Sequence, residues 1–159
     1  MTIFTILDSP IGPLSVAKNE RGEVTEIHFA AKMKNDWRRD DSAFDDVATQ
    51  LREYFAGKRR AFDLPLAPSG TPFQLSVWNE LRAIPYGRTK SYLDIANAIG
   101  KPAACRAVGA ANGANPLPIV LLCHRVIGSN GSLTVFGGDI DVKQRLLALE
   151  SGTQLLLHA

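Results

Sequence analysis

The stretch Ser91-Tyr92-Leu93-Asp94-Ile95-Ala96-Asn97-Ala98-Ile99-Gly100-Lys101-Pro102-Ala103-Ala104-Cys105-Arg106 decides how the chain folds around it. Ser91 has the hydroxyl that caps a helix start, which predicts a short helix from Tyr92 to Ile99 with Gly100 as its stop. Lys101 makes the turn, Pro102 opens the next helix, and a small-residue helix from Ala103 to about Ala111 carries Arg106. Two short helices joined by such a turn form either a helix-turn-helix, whose second helix is laid on DNA, or an αα-hairpin in a core. Spacing alone leaves both open. Ala103, Ala104, Ala107, Ala110 and Ala111 favour the first, because they let the helix approach a surface closely and leave Arg106 as its one long probe.

Upstream, Thr71 caps a helix with Pro72 at its first position, and Phe73, Val77, Leu81 and Ile84 form one apolar face before Pro85 and Gly87 end it. Leu64 to Gly70 reads as a linker, so the expected division is 1–63, a link at 64–70, and 71–159. Residues 2–29 read as a β-meander with turns at Ser9 to Pro13 and Asn19 to Gly22. Asp41 or Ser42 can cap a helix whose stripe is Phe44, Val47, Ala48, Leu51, Tyr54 and Phe55, stopped by Gly57. Downstream, Ile119 to Leu122 reads as a buried β-like run leading into Cys123-His124-Arg125-Val126-Ile127. Asn130-Gly131 signals a turn, Leu133 to Phe136 a short strand and Gly137-Gly138 a loop. Asp141 can cap a last helix with inner face Val142, Leu146 and Leu149 and Gly152 beyond its end.

With 159 residues, 45% hydrophobic and 21% charged, the chain can bury a core; it is neither disordered nor collagen-like, and is too short for a barrel enzyme. The apolar run Leu117 to Cys123 falls far short of the roughly 20 residues that span a bilayer, and the start carries no basic leader, so a cytoplasmic protein without a membrane partner is expected. Cys105 and Cys123 are too few for a disulfide scaffold and lack metal-ligand spacing, so reduced thiols and no metal are expected. Residues 1–70 hold 10 basic and 11 acidic side chains, whereas residues 71–159 hold 8 and 5. Between Leu81 and Arg125 stand Arg82, Arg88, Lys90, Lys101, Arg106 and Arg125 against the single acid Asp94, a window that a polyanion meets first.

Cys123 follows four aliphatic residues, where a cysteine is most often inert core, but it precedes His124 and Arg125, which are able to lower a thiol's pKa. On an extended chain His124 points away from Cys123, so contact between them needs a bend or a bridging water. Cys105 reads as packed inward, and neither His28 nor His158 stands where a catalyst is expected.

Ile84-Pro85-Tyr86-Gly87, Ser91-Tyr92, Ile95-Ala96, Ile99-Gly100, Ala104, Arg106-Ala107-Val108-Gly109, Asn115-Pro116 and above all Cys123-His124-Arg125-Val126-Ile127-Gly128 resemble the O6-alkylguanine-DNA alkyltransferases, the methylated-DNA-protein-cysteine methyltransferases. The match is dense from Thr71 to Glu150. The resemblance implies an α+β fold of two lobes: an N-terminal α/β domain around an antiparallel sheet, and a helical C-terminal domain with a winged-helix-like helix-turn-helix. It implies double-stranded DNA carrying O6-alkylguanine as partner, bound through the minor groove by a monomer, and no cofactor. Cys123 matches the nucleophile that keeps the alkyl group, His124 the residue that takes the thiol proton through a water, and Glu150 the carboxylate orienting it. Asn115 matches the asparagine bracing the active-site turn, and Tyr92 the tyrosine that bonds the flipped base. Val126, Phe136 and Gly137 fall at the base pocket. Arg106 takes the place of the finger that holds the stack open, with Ser91, Ala107, Ala110 and Arg125 as further DNA contacts.

Four positions depart from the family pattern: Leu122 stands where proline is usual, and Val135, Phe136 and Asp139 alter the loop that covers the base. They point to a retuned substrate range. Three other functions compete with repair: a damage sensor that flips alkylated guanine without repairing it, a regulator using only the helix-turn-helix, and a cysteine hydrolase that turns over repeatedly. The presence of Cys123 argues against the first two.

Overall fold

The computed structural model describes residues 1–128 and 140–151. They form two compact units meeting in sequence between Ser69 and Gly70. The first is a four-stranded sheet in the order β3-β2-β1-β4, from β1 (Ile3–Leu7), β2 (Leu14–Lys18), β3 (Val24–Phe29) and the two-residue β4 (Arg38–Arg39). The meander pairs antiparallel, Ile3 opposite Lys18 and Leu14 opposite Phe29, whereas β4 joins the other edge in parallel. All five residues of β2 are buried, as befits a central strand. They include Lys18, whose ammonium leaves the sheet edge to bond the Ala43 carbonyl at 2.8 Å and Asp46 at 3.0 Å.

Lys18 thereby meets the start of α1 (Asp45–Phe55), which buries Val47, Leu51 and Tyr54. The expected cap differs. Residues Asp41–Phe44 form a 3-10 turn ahead of α1, and neither Asp41 nor Ser42 caps it. Asp41 Oδ1 instead accepts from the Thr5 hydroxyl and from Arg39 Nε, both at 2.8 Å, which ties the side chain to the sheet. Part of the expected linker is also engaged: Val24 N–H donates to the Pro65 carbonyl at 2.8 Å and Ala67 N–H to the Val24 carbonyl at 2.9 Å, which satisfies the open edge of β3.

In the second unit, α2 (Pro72–Leu81) starts at a capping box: Gln74 N–H donates to the Thr71 hydroxyl at 3.1 Å and Thr71 N–H to the Gln74 side chain at 2.9 Å. Trp78 Nε1 donates to the Ala111 carbonyl at 2.8 Å and joins α2 to the helix that carries Ala111. The α3 helix (Tyr92–Ala98) has the same device in Ser91 and Asp94. Gly100, at φ +76°, lets the chain reverse so that the Lys101 N–H reaches back to the Ala96 carbonyl at 2.9 Å. The next helix, α4 (Cys105–Gly113), begins later than expected because Ala104 N–H bonds the Lys101 carbonyl, making Lys101 to Ala104 a turn.

Two corrections concern the chain before and after Cys123. Ile119 to Leu122 is no strand; Leu121 N–H returns to the Leu117 carbonyl at 2.8 Å and Ile119 sits at φ +78°. The strand character lies after the cysteine, where β6 (Val126–Ile127) pairs in parallel with β5 (Lys90–Ser91). The last helix, α5 (Ile140–Glu150), starts before Asp141, which stands in its first turn and not at its expected place as the cap, and buries the expected Val142, Leu146 and Leu149. The expectations for residues 130–138 and for Gly152 lie outside the described residues, among which no helix is long and apolar enough to cross a membrane.

Candidate active site

Asn115 shapes the turn that presents the thiol. Its side-chain oxygen accepts from Leu117 N–H at 2.9 Å and its amide donates to the Leu121 carbonyl at 2.8 Å, so one side chain closes the loop that two prolines and Ile119 bend. Leu122 follows at φ −80°, close to the angle a proline ring fixes, so leucine keeps the local course that a proline would give. Cys123, His124 and Arg125 then form a 3-10 turn rather than an extended chain. Consecutive side chains are therefore about 120° apart and not opposed, which removes the geometric objection to a Cys123-His124 pair.

Cys123 is 1% exposed, and burial pushes its thiol from 9.0 up to about 11; the Asn115 amide and the Lys143 ammonium pull the other way. His124 is fully buried, and its Nε2 lies 2.6 Å from Glu150 Oε2. Burial holds its pKa below the ordinary 6.5; Glu150 opposes that shift, and Arg125 and Lys143 add to it. The ring is thus neutral near pH 7. An ionised carboxylate only accepts, so Nε2 carries the hydrogen and Nδ1 the lone pair. Nδ1 is buried and has no hydrogen-bond partner among the described residues.

Several expected site residues come together: Cys123, His124, Glu150 and Asn115 form one buried group, with Val126 buried next to it in sequence. Arg125 departs from its expected place on DNA. It is 2% exposed, its Nε bound to Glu150 Oε1 at 2.6 Å and its Nη1 to the Ile84 carbonyl at 2.6 Å, so its charge is held inside the fold and away from any DNA surface. The other cations of its window, Arg82, Arg88, Lys90, Lys101 and Arg106, are exposed. On α4, Arg106, Ala107 and Ala110 face out while Val108, Ala111 and Asn112 are buried, and Ser91 and Tyr92 are partly exposed. Cys105, expected inside, is half-buried. Phe136 and Gly137, with Val135 and Asp139, lie outside the described residues.

Lys143 is the site residue that sequence reasoning missed. It is buried, its ammonium lies 6.0 Å from the Tyr92 ring centroid, and its charge acts on the Cys123 sulfur. The spacing 143, 146, 150 puts it on the α5 face shared by Leu146 and Glu150, a signal available from periodicity. Among the described residues, no cluster of His, Cys, Asp or Glu could hold a metal ion.

The buried thiol makes stability fall at high pH. Its folded pKa of about 11 exceeds the unfolded 9.0, so its contribution is complete below pH 9 and is lost as pH rises towards 11. The loss is about 3 kcal/mol by linkage. Urea unfolding of the parent is therefore expected to weaken between about pH 8 and about pH 11 by roughly that much more than unfolding of Cys123→Ala. Parallel curves for the two proteins would show that the thiol is not held protonated. His124 has the opposite sign: its depressed pKa contributes stability above pH 6.5 that is lost as pH falls through the folded value.

Residues 72–152 match the family described as 6-O-methylguanine DNA methyltransferase, DNA binding domain, and residues 2–68 the family described as 6-O-methylguanine DNA methyltransferase, ribonuclease-like domain. The methylated-DNA-protein-cysteine methyltransferase of Methanosarcina barkeri is 49% identical over 152 residues, covering 92% of this chain and 96% of that protein. The constitutive methylated-DNA-protein-cysteine methyltransferase of Bacillus subtilis is 42% identical over 159 residues, covering 94% and 96%. Among solved structures, Mycobacterium tuberculosis OGT in complex with DNA is similar at a TM-score of 0.90 and 45% identity, covering 95% of this chain and 94% of that one.

Proposed function

Since the chain belongs to the 6-O-methylguanine DNA methyltransferase family, we propose that the cysteine receiving the alkyl group is Cys123 and that His124 is its base. The protein is a DNA repair enzyme that transfers methyl groups from methylated DNA to a cysteine of its own. The buried chain Cys123, His124, Glu150 carries the assignment. At a pKa of about 11 only about one thiol in ten thousand is ionised at pH 7, so attack needs a base that takes the proton as sulfur reacts. The Nδ1 lone pair of His124 supplies it through a water.

The step balances without a cofactor. The S–H bond breaks to the base, sulfur bonds the alkyl carbon, and the C–O6 bond breaks with its electron pair passing to the guanine. The proton lost by sulfur is, on balance, the one the guanine gains. The thioether left on Cys123 has no carbonyl for water to attack, so one chain serves one lesion; a hydrolase would have to form an acyl-enzyme. The whole group comes from one chain, which supports action as a monomer, and two free thiols suit a reducing cytoplasm.

Residues 71–159 take the DNA and the chemistry; residues 1–63 are a separate N-terminal domain, linked through 64–70. The outward face of α4 lies in the minor groove, where the alanines permit close approach and Arg106 fills the gap left by the flipped base; Tyr92 bonds that base. Arg106→Ala is expected to slow transfer from methylated duplex DNA on the order of ten-fold or more, while leaving transfer from free benzylguanine within about two-fold, since only the duplex needs base extrusion. Equal losses on both substrates would remove the finger role.

A further inference from the structure

Arg125 is the one cation of the 81–125 window that the fold buries, and a guanidinium is tolerated inside only where its donors are met. Here its two hydrogen bonds lead to different elements. One goes to Glu150 Oε1 at the end of α5 and one to the Ile84 carbonyl beyond α2, with the guanidinium 5.5 Å from the Tyr86 ring centroid. The Tyr86 hydroxyl donates to the Leu149 carbonyl at 3.4 Å, and Gly87, at φ +78°, has the Glu150 carbonyl only 3.1 Å from where a Cβ would stand. The Ile84 to Gly87 turn and the end of α5 therefore meet around Arg125, which joins both of them to the Cys123 turn.

We propose that Arg125 is a positioning residue for the transfer: held on the Ile84 carbonyl, it takes one oxygen of Glu150, fixes the other against His124 Nε2, and so leaves Nδ1 to accept the thiol proton. This rests on the assignment of Cys123 and His124 made above. A guanidinium is always charged and only donates, so it keeps Glu150 ionised and acceptor-only. An ionised Glu150 requires the hydrogen of the neutral ring on Nε2. The charged groups facing the imidazole are Glu150 and Lys143 from α5 and Arg125 from its own turn; the two cations oppose protonation and Glu150 favours it. Arg125 thus sets both which nitrogen is the base and the pH above which it is free.

The test uses the full chain, with single-turnover transfer from methylated duplex DNA measured across pH and nitrogen NMR of the His124 ring in the parent. The parent ring is expected as the Nε2–H tautomer. Arg125→Gln, which removes the charge, is expected to slow transfer about ten- to a hundred-fold and to move the acid limb of the rate profile up by about one pH unit. Arg125→Lys keeps the charge, and its acid limb stays where the parent's is. An Nδ1–H tautomer in the parent, or an Arg125→Gln profile that superimposes on the parent's, would overturn the proposal. If Arg125→Gln does not fold, the parent's tautomer and the Arg125→Lys limb decide alone. A parent that places no methyl on Cys123 overturns the underlying assignment, which is a different failure.

Discussion

Cys123→Ala is expected to transfer no methyl group from O6-methylguanine DNA, yet to bind the same duplex with undiminished affinity. The sulfur is the only atom of the buried group able to hold an alkyl group as a stable thioether, whereas the exposed face of α4, the proposed DNA contact, carries no part of it. The substitution is also mild. Removing one buried sulfur leaves a small cavity at a cost of about 1 kcal/mol, so loss of activity with a preserved unfolding transition isolates the chemistry. In the parent, peptide mapping is expected to find one methylene added per chain, on the peptide holding Cys123. Cys105→Ala, altering the half-buried thiol beside Arg106, keeps full stoichiometry. Methyl on Cys105, or more than one methyl per chain, would reject the assignment.

What the sequence disclosed here followed the range of the interactions. Thr71 and Ser91 cap helices through partners three residues away, and Gly100 reverses the chain through its own φ, so these elements could be read from local chemistry alone. The approach to Cys123 could not be. Ile119-Val120-Leu121-Leu122 has strand composition, but the Asn115 side chain ties Leu117 and Leu121 on either side of Ile119, which sits at φ +78°, a conformation a β-branched residue adopts only when its surroundings impose it. Arg125 misled for a related reason. Arginine is mostly exposed, and the partner that draws this one inward is 25 residues away in sequence. The same remoteness hid the 3-10 turn, and with it the fact that His124 need not point away from its neighbour.

Glu150→Gln is expected to lower the transfer rate by on the order of 10³ to 10⁴, because Arg125 dictates how the amide turns. The guanidinium has no acceptor, so the glutamine must offer it the carbonyl oxygen, and the NH₂ then faces His124 Nε2. Nε2 is forced to accept, the ring hydrogen moves to Nδ1, and the nitrogen that should take the thiol proton already carries one. An amide replacing the aspartate of a serine-protease triad abolishes most activity through the same tautomer error. Arg125 also loses its counter-ion, which costs about 3 kcal/mol or more of stability, so rates are to be compared below the variant's own unfolding transition. Two readouts separate this mechanism from simple loosening. Removing Glu150 takes away the group that favours the imidazolium, so the acid limb of the rate profile moves down in pH, opposite to Arg125→Gln, while the rate stays low throughout. Free benzylguanine suffers the same loss as duplex DNA, since the proton step is common to both, in contrast with Arg106→Ala. A Glu150→Gln protein within ten-fold of the parent would mean that His124 is oriented by something other than this carboxylate.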